Sequence, residues 1–281
     1  MGAAPLINST LDRPLLSDCQ NCSFGSWRPS AKITSREAEQ FDEIVAHRRV
    51  IKRNEYLHNV GTALDSLYVI NSGFLKSSIT DGNNHEQVVA FYMPGDIFGL
   101  DAIDTGRHQC ATVALEDSSI CEMRYFALEK LRHTIPALQQ LLQKVMGAEI
   151  VRAHNIMLLL GAMRAEQRVA AFLLDLSKRF FARGYSGTQF RLPMARHEIG
   201  SYLGLTIESV SRTLSRLDAT RIISINYKFI EIVSAAKLHR IAGTHEMRGD
   251  SRSDVQDIHC AGQHLTHRNS NDGRSRHQRR C

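Results

Sequence analysis

The chain has 281 residues, 43% of them hydrophobic, and a formal net charge of +6. That length suits two modest domains with separate cores, and the positive balance suits a polyanionic partner, although part of it sits in the C-terminal tail. No apolar run reads as long enough to span a bilayer, and Met1–Arg13 lacks the basic and apolar regions of a secretory signal, so a cytoplasmic protein with no membrane partner is expected.

In that setting the six cysteines, Cys19, Cys22, Cys110, Cys121, Cys260 and Cys281, are expected to be ligands, sensors or buried apolar residues rather than structural disulfides. Residues 1–30 show little periodicity and read as an arm carrying a C-x-x-C pair, Cys19 and Cys22, and the single tryptophan, Trp27. Residues 34–48 read as a short helix opened by a capping box of Thr34 and Glu37.

Within residues 31–133 the pattern from Val50 to Met123 is one of short strands separated by turn signals, which reads as a β-barrel or jelly-roll sensor module. Leu67–Ile70 is expected to pair with Phe74–Ile79 across Asn71-Ser72-Gly73. Asp81-Gly82-Asn83-Asn84 turns the chain into Gln87–Tyr92. Ala111–Leu115 is expected to pair with Ser119–Met123 across Glu116-Asp117-Ser118, which would put Cys110 on a strand facing the one that bears Cys121. From Pro136 to Met163 the period is helical. Leu138, Leu141, Leu142, Val145, Met146, Ile150, Val151, Leu158 and Leu159 form a long stripe with no other obvious cover, so residues 134–163 read as a dimerisation helix.

Residues 164–237 read as a DNA-binding unit. Ala165–Ala182 is amphipathic and closed by Gly184. Arg196–Leu217 then has the layout of a helix-turn-helix. Ile199, Tyr202 and Leu203 form one apolar face, Gly204 is placed for a left-handed C-cap, and Thr206 for the N-cap of a second helix burying Val210, Leu214 and Leu217. Glu208, Ser211 and Arg212, at i, i+3 and i+4, share an exposed face near that helix's N-terminus, where a recognition helix presents side chains to base edges. A hairpin of Ile222–Ile225 and Phe229–Ile232 follows as a wing. Residues 245–281, rich in Ser, Asn, His, Asp and Arg, read as a disordered tail.

Arm, β-roll, long helix and winged helix-turn-helix, in that order, give an α+β chain that resembles the Crp/Fnr family of bacterial transcription regulators over roughly residues 15–243. The residues carrying the likeness are C-Q-N-C at 19–22, M-P-G-D-I-F-G at 93–99, the strand around Cys121, R-A-E-Q-R-V-A-A-F-L-L-D-L-S at 164–177, and R-L-P-M-A-R-H-E-I-G-S-Y-L-G-L-T-I-E-S-V-S-R at 191–212. The resemblance is strongest to the Fnr branch of oxygen-responsive regulators. That branch has Glu-x-x-Ser-Arg on its recognition helix, matched by Glu208, Ser211 and Arg212, while the cyclic-AMP receptor branch has an extra arginine where Ile207 stands. The implied target is a TTGAT inverted repeat in double-stranded DNA. Arg212 would contact guanine O6 and N7 and Glu208 would accept from cytosine N4. Thr206 caps the reading helix, and Ser209, Arg216 and Lys228 are candidate phosphate contacts.

The resemblance also implies a homodimer and an RNA polymerase contact through the loop Thr80–Glu86. Ala153 stands mid-seam where some Fnr-like proteins carry an acidic residue, so dimerisation without signal is expected to be easier here. An Arg-Ser pair holds the cyclic phosphate in the nucleotide branch. His108-Gln109 at the matching positions, with Leu100 where a ribose-binding glutamate would be, disfavour cyclic AMP, and Arg107 is a nearby loophole. The Fnr branch holds a [4Fe–4S] cluster with three arm cysteines and one β-roll cysteine. Cys19, Cys22 and Cys121 match three of these, and the third arm cysteine is missing. Three readings stay open: Cys110 as fourth ligand, a thiol switch without iron, or cysteines that are simply buried. No nucleotide-cradling glycine loop, nucleophile elbow or H-E-x-x-H occurs, so no enzyme is expected.

Overall fold

A computed structural model describes residues 45–83 and 85–243. The arm with Cys19, Cys22, Trp27 and the Thr34–Glu37 capping box, and the tail 245–281, lie outside the described residues. The expected helix over 34–48 is corrected at its end, because Val45–Ile51 is strand β1. Its backbone is claimed by β8 (Ser118–Arg124), with Arg48 opposite Cys121 and Val50 opposite Ser119.

Two four-stranded antiparallel sheets form the β-roll. One has the order β1-β8-β3-β6, with β3 at Ser66–Ser72 and β6 at Ile97–Phe98. The other has the order β2-β7-β4-β5, with β2 at Tyr56–His58, β4 at Leu75–Thr80, β5 at Glu86–Tyr92 and β7 at Ala111–Ala114. The turn expected between β4 and β5 joins them as an antiparallel hairpin, Leu75 pairing Tyr92. Two other expected pairings are corrected. β3 pairs with β8 and β6, not with β4, and β7 pairs with β2 and β4, not with β8. In both places the connecting turn carries the chain from one sheet into the other, as sandwich strands do when they trade partners. At the first, Gly73 sits at φ 90 with its α-carbon so close to Ser118 that a Cβ would overlap that residue.

The inner core between the sheets holds Ile51, Ile70, Leu75, Phe98, Ala114 and Ile120. The first sheet is apolar on its outer face too. Leu67, Val69, Cys121 and Met123 alternate with the inner residues and pack under helices α1 (Tyr125–Arg132) and α2 (Pro136–Ala162). Burial on both faces explains why β3 reads in sequence as an unbroken apolar run.

Helix α2 matches the expected long helix, and part of its stripe is uncovered. Met146, Ile150, Val151 and Leu158 are exposed, Leu141 and Leu142 are half-buried, and Leu138, Val145 and Leu159 are buried. By length and composition this helix could cross a membrane, which corrects the expectation that no segment qualifies.

Helix α3 (Ala165–Phe181) follows, then β9 (Gln189–Arg191), α4 (Arg196–Leu203), α5 (Ile207–Ala219), β10 (Ile223–Asn226), β11 (Phe229–Ile232) and α6 (Ala235–Ala242). The wing hairpin is a three-stranded sheet of order β10-β11-β9, with β9 an unforeseen third strand. Helix α6, also unforeseen, packs against α3 with Leu238 and Ala242 buried.

This unit and the β-roll share a core. Val88, Phe91, Met93 and Leu115 of the roll belong to the same apolar cluster as Phe172, Tyr202 and Leu214. The Phe91 ring lies 5.0 Å from Tyr202 and 6.1 Å from Phe172, centroid to centroid. Asp96, buried in the turn between β5 and β6, accepts hydrogen bonds from Arg179 at 2.5 Å, from Arg183, and from the Met93 amide at 2.8 Å. Lys76 on β4 bridges Glu86 at 3.0 Å and Glu198 of α4 at 3.2 Å.

Candidate functional site

The polar reading face rests on a tight turn between α4 and α5. Gly204 ends α4 in the left-handed region, φ 60 and ψ 43, as its sequence position implied. A second glycine was not singled out from sequence. A Cβ on Gly200 would lie 2.6 Å from the Leu205 carbonyl oxygen, so only hydrogen fits where α4 passes under the turn. Thr206 caps α5, its Oγ1 accepting the Ser209 amide at 3.2 Å. Ile199, Tyr202 and Leu203 of α4 and Val210, Leu214 and Leu217 of α5 are all buried, as their spacing implied. Beneath the turn, Arg168 of α3 ties the arrangement together. Its guanidinium donates to the carbonyls of Leu160 at 2.8 Å, Met163 at 2.9 Å and Leu203 at 2.9 Å. It thus satisfies the ends of α2 and α4 at once. Neither spacing nor composition distinguishes this arginine, because its partners are carbonyls brought near by the fold.

Glu208 and Arg212 are exposed and Ser211 is half-buried, all on the side of α5 away from its buried residues. The Glu208 carboxyl is held below its ordinary range by the helix-start amide, then by the Thr206 hydroxyl, with a further contribution from Arg212. The face therefore offers an anionic acceptor and a cationic fork four residues apart at neutral pH, a pair suited to base edges in a major groove. The candidate phosphate contacts are already engaged. Ser209 belongs to the cap, Arg216 pairs with Glu166 of α3 at 2.6 Å, and Lys228 donates to the Pro193 carbonyl at 3.3 Å. At the wing tip Tyr227 stands 87% exposed with φ 59.

The described cysteines do not form one ligand set. Cys121 is wholly buried on the outer face of its sheet, among Leu67, Val69 and Met123. Cys110 precedes β7 of the other sheet, beside Asp101, where burial and then the Asp101 charge push its thiol up to about 11. The expected facing-strand placement of Cys110 and Cys121 is thus corrected, because their strands belong to different sheets. Among the described residues no three His, Cys, Asp or Glu side chains converge as a metal site. A cubane needs four soft ligands, and Cys110 does not fit as the fourth beside Cys121. Cys19 and Cys22 lie outside the described residues.

Comparison with known proteins places these features. Residues 48–134 match the cyclic nucleotide-binding domain family, and residues 167–241 match the Crp-like helix-turn-helix domain family. The chain is 38% identical over 230 residues to the transcriptional regulatory protein btr of Bordetella pertussis, covering 82% of this chain and 95% of that protein. It is 40% identical to the fumarate and nitrate reduction regulatory protein of Vibrio cholerae, covering 80% of this chain and 90% of that one. Among solved structures, FixK2 from Bradyrhizobium japonicum superposes with a TM-score of 0.65 at 31% identity, covering 70% of this chain and 97% of FixK2. A β-roll, a long half-bare helix and a winged reading head, shared at this identity over most of the chain, lead to one conclusion: the protein belongs to the Crp/Fnr family of helix-turn-helix transcription regulators.

Proposed function

We propose that this protein is a cytoplasmic homodimer that reads a TTGAT inverted repeat in double-stranded DNA and answers to oxygen or redox state. The observation that carries the DNA reading is the face of exposed Glu208 and Arg212 with half-buried Ser211, on a helix whose opposite side is buried. A dimer presents two such faces, so the target should be a palindrome with half-sites about one helical turn apart. The uncovered stripe of α2 supplies the seam between protomers, and pairing of that stripe, rather than lipid, accounts for its apolar length.

The signal is assigned from the relatives, several of which are named anaerobic regulatory proteins. Cys110 and Cys121, the described cysteines, do not supply the ligand set of an iron–sulfur cluster, and Cys19 and Cys22 lie outside the described residues. The loop Thr80–Glu86 at the tip of the β4–β5 hairpin is proposed as the RNA polymerase contact. Asp81 shapes it by accepting the Asn83 and His85 amides at 2.8 and 2.9 Å.

Footprinting of the full chain on duplexes carrying the repeat or a scrambled control tests the DNA reading. Protection of both half-sites only on the repeat is expected, and equal protection of the control contradicts it. Iron and sulfide analysis after anaerobic purification tests the sensor separately. A colourless, iron-free dimer with the same DNA affinity with and without air would rule out an iron–sulfur sensor.

A further inference from the structure

Strand β5 lies at one edge of its sheet, and among the described residues no strand pairs with its outer side. Such an edge presents its amides and carbonyls as a template for another backbone. Here a side chain of the reading head takes that place. The Ser201 hydroxyl of α4 accepts the Val88 amide at 2.8 Å and donates to the Glu86 carbonyl at 3.0 Å. One hydroxyl thus engages the two groups that a residue of a parallel neighbouring strand would engage. Gln87, between them in sequence, donates from its side chain to the Ser201 carbonyl. The pairing of β4 with β5 shifts register beside Val88, opposite Ser77 and Ser78, and an edge bulge of this kind re-aims the strand.

One helical turn earlier on α4, Glu198 meets Lys76 of β4. The Lys76 ammonium is buried, 3.0 Å from Glu86 and 3.2 Å from Glu198. Burial disfavours its charge, and the hydrogen bonds and charges of Glu86 and Glu198 outweigh that cost. Moving α4 away from the roll would strip a buried charge of a partner, so the contact resists displacement. The head is also attached at α3, where Arg179 and Arg183 hold Asp96. The covalent link from α2 to α3 is extended backbone at Met163 and Arg164, with ψ of 145 and 161. That link alone leaves the head free to swing. Attachment at both α3 and α4 fixes its rotation, and with it the direction of α5.

In a dimer the two reading helices stand where two copies of this attachment put them. Each base pair added between half-sites moves one half-site by about 3.4 Å and turns it by about 34–36° around the duplex. A swinging head can follow that change, and a head held at two helices cannot. We propose that Ser201 and the Lys76–Glu198 pair are positioning residues that set which half-site spacing the protein accepts, by holding α4 on the outer edge of β5. The proposal rests on the dimeric DNA reading above and adds to it a second source of specificity, separate from the base contacts of Arg212.

Fluorescence anisotropy of the full chain on TTGAT repeats whose spacers are one or two base pairs longer or shorter than the preferred one tests it. Each protein is also measured on a preferred-spacer repeat with the guanine replaced and on a scrambled duplex. Wild type should lose about tenfold or more in affinity for a spacer changed by one base pair. Ser201→Ala combined with Lys76→Met should reduce that penalty to about threefold or less while keeping the preference for guanine. Where the double variant does not fold, Ser201→Ala alone, which removes a single hydroxyl, decides by the same ratio. Folded variants that weaken alike on every spacer and keep the wild-type penalty would overturn the proposal, as would a wild type indifferent to spacing. A wild type that binds the repeat no better than the scrambled duplex would contradict the DNA reading itself, and the proposal falls with it.

Discussion

Single residues set the geometry of the reading head. Arg168 joins the end of α2 to the turn before α5 through the carbonyls of Leu160, Met163 and Leu203. Charge-assisted bonds of this kind contribute more than neutral ones, and their loss leaves carbonyls unsatisfied, so Arg168→Ala should cost about 2–3 kcal/mol. Urea unfolding measures it, and a loss below about 0.5 kcal/mol would show that the contacts are incidental. His58 gives a second effect at this scale. Burial, then the charge of His108, holds its folded pKa down to about 4 against an ordinary 6.5. A lowered histidine pKa means that the unfolded chain binds the proton first as pH falls. Stability should therefore be intact above about pH 6.5 and decline between there and pH 4, by about 2–3 kcal/mol in total. Replacing His58 with Phe should flatten that part of the pH profile. An unchanged profile would assign the proton to another group.

At the scale of elements, the long helix and the two helices of the reading head were legible and most of the strand pairing was not. Helix α2 and the two helices of the reading head follow from apolar spacing, Gly204 and Thr206, all local signals. The β4–β5 hairpin was also legible, because Asp81-Gly82-Asn83 returns the chain on itself. The partners of β3 and β7 were not, since a strand that leaves a turn for the opposite sheet has the same alternation as one that stays. The same error put Cys110 opposite Cys121. Helix α6 and β9 were missed for a different reason: they are short and earn their order from α3 and β11 rather than from their own sequence. Of the candidate site, Glu208, Ser211 and Arg212 were legible as a face, whereas the engagement of Arg216 by Glu166 depends on a helix that only the fold brings near. The seam of α2 yields a prediction at this scale. Ile150 is 56% exposed in the single chain and lies mid-stripe, so Ile150→Glu would set like charges across the two-fold axis. Analytical ultracentrifugation should show a dimer for wild type in air and a monomer for the variant. A dimeric variant would place the seam elsewhere.

Across the whole molecule, the β-roll and the reading head share a core and are bound by buried charge: Asp96 to Arg179 and Arg183, and Lys76 to Glu198. Glu198 also accepts the Ala195 amide at 2.7 Å, so one carboxylate both starts α4 and anchors it to β4. These ties join the roll to α4, the helix that packs beneath α5. In the proposed function these elements serve one act, the reading of a guanine-bearing half-site by Arg212. Its most direct test is fluorescence anisotropy of wild type and Arg212→Ala on the TTGAT repeat and on a repeat with the guanine replaced, over a salt series. The wild type should prefer guanine by about 1–3 kcal/mol per half-site, and the variant should lose that preference while keeping salt-dependent binding to both duplexes. A variant that weakens equally on both duplexes and still discriminates between them would contradict the account.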